Sequence, residues 1–155
     1  INDITGYRLN VVDAACGSRF YNFEKTKDGG TTWTEVNGDP FDQNMGVAEG
    51  LLFFTNDFGF AGLTYASEDF SMLYVTKDGG ETFERLELPL DTVTELPSEA
   101  AELGFTIEDY DYHTMPQIVD GKMEIYLQTD AMEQQGIIFQ SEDNGVTWEY
   151  AGCKE

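Results

Sequence analysis

The densest polar–aromatic run in the chain is Asp109-Tyr110-Asp111-Tyr112-His113. In an extended backbone successive side chains alternate between faces, so Asp109, Asp111 and His113 would share one face. Two carboxylates and an imidazole at that spacing offer ligands for a divalent metal. The same residues also fit a solvated, acidic strand edge after a loop. His113 is the only histidine, which rules out a His-rich metal cage and a Ser/His/Asp triad with redundancy. Tyr110 and Tyr112 would face the other way. With Tyr65, Phe70 and Tyr126 they offer a stacking surface for a sugar or peptide, although aromatic residues in strands more often fill a core. The two cysteines, Cys16 and Cys153, form no CxxC pair, which excludes a zinc ribbon or a thioredoxin-type site. If the terminal strands are neighbours, a disulfide between them would close a long loop and add about 4 kcal/mol. The alternative is two buried thiols.

A second kind of constellation repeats. Thr26-Lys27-Asp28-Gly29-Gly30-Thr31-Thr32-Trp33, Thr76-Lys77-Asp78-Gly79-Gly80-Glu81-Thr82-Phe83 and Ser141-Glu142-Asp143-Asn144-Gly145-Val146-Thr147-Trp148 all follow Ser/Thr-x-Asp-x-Gly-x-Thr-aromatic, with the aspartates 50 and 65 residues apart. Each segment is preceded by an apolar run and followed by another strand-like run. The aspartate can accept hydrogen bonds from the N–H groups of its own turn. Gly30, Gly80 and Gly145 suit a positive φ. The Thr and the aromatic can then pack back on the turn and start the returning strand.

Three such segments at this spacing resemble the Asp-box, or BNR, repeat of sialidases, sortilin-type receptors and photosystem-assembly propellers. The resemblance implies an all-β chain of β-propeller-like blades, each with four antiparallel strands and with the box joining its third and fourth strands. It also implies that the boxes lie on the blade periphery, away from any active site, so that Asp28, Asp78, Asp143, Trp33, Phe83 and Trp148 are expected to be structural. Blades are expected at about residues 1–40, 41–90 and 105–155, with an insertion at 90–109. In the second blade, Leu51–Thr55, Gly59–Tyr65, Met72–Lys77 and Thr82–Leu88 are the expected strands. In the third they are Thr114–Val119, Lys122–Thr129, Gly136–Gln140 and Val146–Ala151, with Asp120-Gly121 as a hairpin turn. The first has Gly6–Ala14, Ser18–Lys25 and Thr32–Val36, which leaves only Ile1–Thr5 for an inner strand. Within the insertion, Ser98 is the expected N-cap and Gly104 the stop of a short helix over Glu99–Leu103. Three blades are fewer than a closed propeller uses. Further blades, or a second copy of the chain, would complete the ring; an open stack of three blades is the other arrangement.

Sialidase-like enzymes use three arginines to hold a substrate carboxylate, with a Tyr–Glu nucleophile and an acidic proton donor. This chain has three arginines, Arg8, Arg19 and Arg85. Tyr7-Arg8-Leu9-Asn10 is similar to the family's aromatic-Arg-Ile-Pro motif, with Asn10 in place of the proline. Arg85 follows a box aromatic on an outer strand, away from where a ligand is held. A glycoside hydrolase whose catalytic residues lie mostly outside this segment is therefore the second expectation. The first is a non-catalytic binding or scaffold module that takes a protein or carbohydrate ligand.

Charge narrows the partners. Eight basic residues face thirty acidic ones, for a formal net charge of −22. Such a surface repels nucleic acid and anionic membranes and attracts cations and basic partners. It also favours solubility outside the cell. No cofactor is expected, with Ca²⁺ held by clustered carboxylates as the one option. No apolar run approaches the roughly 20 residues that span a bilayer. No signal peptide is present, so a leader or anchor is expected outside this segment, with an extracellular or cell-surface location.

Overall fold

A computed structural model describes residues 4–64, 70–130 and 132–155. The protein is all-β, with three antiparallel sheets. It divides into two compact units. The first holds the described residues up to Thr64 together with Met72–Leu86; the second holds Phe70, Ser71 and Glu87–Glu155.

In the first unit, β1 (Gly6–Ala15), β2 (Ser18–Thr26) and β3 (Thr34–Asn37) form a three-stranded meander. The β1–β2 hairpin closes through Cys16 and Gly17, at φ 51 and 91 between the paired Ala15 and Ser18. Two consecutive left-handed residues make the twist-compatible hairpin turn. The second sheet is a meander of β4 (Val47–Phe53), β5 (Gly59–Thr64), β6 (Ser71–Thr76) and β7 (Glu84–Arg85). The two sheets meet through a backbone bridge: the Arg19 N–H donates to the Gly46 carbonyl and the Gly46 N–H to that of Arg19, at 2.8 and 3.0 Å. Phe23, Phe41, Phe60, Leu63 and Leu73 are buried between or beside them. Tyr7 stacks flat on Phe53, with centroids 3.8 Å apart, and Phe83 meets Phe23 edge-on at 5.2 Å. Such aromatic pairs each add roughly 1 kcal/mol beyond the area they bury.

The second unit is a five-stranded sheet in the order β12 (Glu149–Lys154), β11 (Gly136–Ser141), β10 (Lys122–Gln128), β8 (Tyr112–His113), with β9 (Gln117–Val119) also paired to β10. Ile125, Leu127, Ile137 and Phe139 are fully buried in it. The β9–β10 turn is Asp120-Gly121, both left-handed. Residues 90–109 carry two short 3-10 turns and one helix, α1 (Ala100–Leu103).

Several expectations are corrected. Among the described residues only the second sheet is a simple four-stranded meander; the first has three strands and the third five. The expected inner strand Ile1–Thr5 forms no strand at Ile4 and Thr5, and Ile1–Asp3 lie outside the described residues. Of the strand expected at Thr114–Val119 only β9 (Gln117–Val119) forms, β8 ends before that range at His113, and Pro116 between them has no N–H to give to β10. Thr114 bridges the gap: its N–H donates to the Tyr126 carbonyl and its hydroxyl accepts the Tyr126 N–H, both at 3.0 Å. The returning strands start later than expected, because the repeat's Thr and aromatic are consumed in the turn. In α1 the N-cap is Glu99, already helical and making no side-chain cap bond. Ser98 instead holds Glu155 through its hydroxyl and its N–H. Gly104 does end the helix, at φ 78.

Candidate functional site

The three aspartate corners share one geometry. In the first, the Asp28 carboxylate accepts the Thr26 hydroxyl and the Thr32 N–H on Oδ1, at 2.7 and 2.8 Å, and the Thr32 hydroxyl on Oδ2 at 2.6 Å. In the second, Asp78 accepts the Thr76 hydroxyl, the Thr82 N–H and the Thr82 hydroxyl at 2.9, 2.9 and 2.6 Å. In the third, Asp143 accepts those of Ser141 and Thr147 at 2.8, 2.8 and 2.7 Å. The opening hydroxyl is a buried hub that also accepts the glycine N–H of its own corner, from Gly30, Gly80 and Gly145 at 2.9, 2.8 and 2.7 Å. Each corner needs two left-handed residues in a row: Gly29 and Gly30, Gly79 and Gly80, Asn144 and Gly145. Asparagine tolerates that conformation better than other side chains, which is why Asn144 can stand where the others have glycine. Trp33 folds back so that its indole N–H donates to the Gly30 carbonyl at 3.1 Å.

These bonds favour the charged carboxylate. The Thr32 hydroxyl and N–H, then the Thr26 hydroxyl, lower Asp28 to about 2. The Thr147 N–H and hydroxyl lower Asp143 to about 2 as well. For Asp78 burial opposes the charge, and the Thr82 and Thr76 bonds outweigh it, so its pKa is also lowered. A carboxylate whose two oxygens are both occupied, and which stays ionised at neutral pH, is a poor proton donor or base.

The other sequence candidates are dispersed. Asp109, Asp111 and His113 do not share a strand face, because 107–109 is a 3-10 turn and only Tyr112–His113 is extended. The Asp109 carboxylate caps that turn, accepting the Thr106 N–H at 2.7 Å and its hydroxyl at 2.9 Å. His113 Nδ1 lies 3.2 Å from the Asp111 carbonyl. Among the described residues no group of three or more His, Cys, Asp or Glu is arranged to hold a metal ion. Cys16, expected either as half of a disulfide or as a buried thiol, is exposed in its hairpin turn, and Cys153 donates to the Glu95 carbonyl at 3.3 Å. The stacking surface is also lost, since Tyr110 and Tyr112 are buried; Tyr65 lies outside the described residues. Tyr126 hydrogen-bonds Glu124 at 2.8 Å, and Lys154 sits 5.0 Å above its ring. Burial pushes Tyr110 up to about 12, with Glu99 adding to it, and burial plus the Glu124 bond does the same to Tyr126. Neither phenol exchanges a proton near neutral pH.

The three arginines lie on separate strands, β1, β2 and β7. Arg8 pairs with Glu24 at 2.6 Å and lies 4.2 Å over the Trp33 ring. Arg19 and Arg85 are on β2 and β7. Their backbones pair with Gly46 and Tyr74.

Concavities are shallow. One in the first unit runs between two corners, lined by Lys25, Lys27, Asp28, Asp78 and Glu81. One in the second unit lies beside the third corner, with Lys122, Glu142 and Glu149; there Lys122 and Glu142 pair at 2.6 Å. A third, lined mostly by Leu90, Val93, Leu96, Phe105 and Ile107, is largely apolar, and sequence reasoning missed it. Its signal was the alternation of leucine, valine and isoleucine with acidic residues across 88–108.

Among the described residues no helix is long and apolar enough to cross a membrane. No family model matches the chain, and no curated protein matches it either. A solved structure titled "YCF48 bound to D1 peptide" is similar to it with a TM-score of 0.39 and 15% identity, over 97% of this chain. The chain spans 44% of that structure's chain.

Proposed function

We propose that the chain is a non-catalytic binding and scaffold module of the cell surface or extracellular space, built from propeller-like blades of the Asp-box kind. It would present its loops to a protein or glycan, with further blades or a second copy completing the ring. The observation that carries this reading is the threefold self-sufficiency of the corners. Asp28, Asp78 and Asp143 each spend both carboxylate oxygens on their own turn. Each corner links the last two strands of its sheet, β2–β3, β6–β7 and β11–β12. That placement is what a repeated blade rim requires, and it leaves the inter-strand loops to make contacts.

The test is capture on protein and glycan arrays alongside an assay with fluorogenic sialosides. A binding module retains a ligand and hydrolyses no sialoside. Turnover that survives purification and disappears with Arg8→Ala would overturn the reading.

A further inference from the structure

The segment between Glu87 and Asp109 combines an apolar groove with a one-sided charge. The groove, about 390 Å³, is lined by Leu90, Val93, Leu96, Phe105 and Ile107, with Glu95 at its wall. That volume lies at the small end of the roughly 300–1,000 Å³ seen for ligand pockets. Leu90 is 42% exposed and Leu103, on α1, 61% exposed. Around them the segment carries Glu87, Asp91, Glu95, Glu99, Glu102, Glu108 and Asp109, and no lysine, arginine or histidine.

The groove is held in shape. Gly104, at φ 78, turns the chain back after α1, so that the Phe105 N–H donates to the Ala100 carbonyl at 2.9 Å. Phe105 then packs edge-on against the buried Tyr110. The Thr106–Asp109 capping box fixes the next turn. On the other side the Glu95 carbonyl accepts the Tyr150 hydroxyl and the Cys153 thiol from β12, at 3.2 and 3.3 Å. A preformed groove costs little to order on binding.

We infer that this groove docks a cationic amphipathic peptide segment of a protein partner. This deepens the binding-module reading and rests on it. The apolar floor selects side chains recurring every third or fourth residue, as one face of a helix presents them. The acidic rim selects lysine and arginine on the flanks of that face and steers their approach. An anionic or purely polar segment meets either repulsion or an unfilled floor.

The probe is a short fluorescent peptide with leucines at every third or fourth position and lysines elsewhere, titrated against the intact chain by anisotropy. Two companions replace its leucines by serine or its lysines by glutamate. The protein variants are L90S/I107S in the groove, E102K/E108K on the rim, and E81K/E84K on the exposed corner of the other unit as a charge-matched control. Melting curves confirm that each is folded. The expected result is binding that weakens with salt, falls about tenfold or more in the groove and rim variants, and changes little in the control. No binding, equal binding of the serine companion, or an equal loss in the control overturns the inference, the last two because they reduce it to general attraction by an acidic chain. The array experiment separates the two readings. A wild-type ligand still captured by L90S/I107S sinks the groove and leaves the module standing, whereas no wild-type capture sinks the module.

Discussion

Thr32 gives Asp28 two hydrogen bonds, its N–H to Oδ1 at 2.8 Å and its hydroxyl to Oδ2 at 2.6 Å. Thr82 does the same for Asp78, and Thr147 for Asp143. One residue thus closes each corner with both its backbone and its side chain. A threonine there is more than a strand-forming residue.

The closure titrates. With Asp28 and Asp143 lowered to about 2 in the fold and near 3.9 in an unfolded chain, their contribution is fully present above about pH 4. It is lost as pH falls through about 2. Protonating the other carboxylates works the opposite way at first, by relieving the repulsion of an acidic chain. The diagnostic is therefore a difference. Melts of wild type and D28N/D143N from pH 7 to pH 2 are expected to show the largest gap in Tm above pH 4, narrowing toward pH 2. A gap constant with pH would show that the charge contributes nothing.

Gly80 and Gly29 separate close approach from conformation. Both have positive φ, at 95 and 70. A Cβ on Gly80 would sit 2.0 Å from Cε1 of Phe23, whereas one on Gly29 meets nothing within 4 Å. G29A is expected to cost about 1 kcal/mol from the left-handed backbone alone. G80A adds the displacement of a fully buried ring and is expected to cost about 2–4 kcal/mol. Denaturant titration of both variants checks the ranking, and equal losses would mean that Phe23 moves aside freely.

The contrast between those glycines shows how far the sequence could be read. Turn identity was legible, because Asp-Gly-Gly and Asp-Asn-Gly state local backbone needs that hold wherever the chain folds. The central strands β2, β5, β6, β10 and β11 were legible for a similar reason: their apolar runs are long and bounded by turn residues. What Gly80 touches was not legible, because Phe23 is brought to it by the packing of two sheets. The same holds for the outer strands, whose starts depend on how far Thr32, Thr82 and Thr147 are drawn into their turns. The Asp109–His113 face failed because alternation presupposes extension, and the Thr106–Asp109 capping box makes a 3-10 turn instead. Pro116 was a local warning of a broken strand that the apolar pattern around it concealed.

Metal dependence follows from that failure. Asp109 is occupied by Thr106, and the described residues gather no three-ligand set. Chelator is expected to leave Tm unchanged, and Ca²⁺ to do no more than Mg²⁺ at the same ionic strength. A resident ion at a hundredfold excess over its Kd would add about 2.7 kcal/mol. A Ca²⁺-specific rise in Tm would therefore be plainly visible and would overturn this expectation.

The two thiols are expected to react at different rates. Cys16 projects from an exposed two-residue turn. Cys153 is partly covered, donates to the Glu95 carbonyl, and has its pKa raised chiefly by burial, with the nearby Glu155 and Glu95 charges adding and the Tyr150 bond opposing. Thiolate is the reactive form, so burial and a raised pKa both slow Cys153. Brief native alkylation followed by peptide mass spectrometry is expected to label Cys16 first, with Cys153 labelled only after denaturation. The Glu95→Ala substitution removes a minor charge that raises the Cys153 pKa but keeps the carbonyl contact, so Cys153 should label slightly faster and still well behind Cys16. The Tyr150→Phe substitution removes both the hydroxyl that helps to pin Glu95 and the bond that holds the Cys153 pKa down, so faster Cys153 labelling there would report opening of the contact rather than a more acidic thiol. Equal native rates at the two cysteines would mean that the contact between β12 and residues 94–96 opens readily, and with it one wall of the apolar groove.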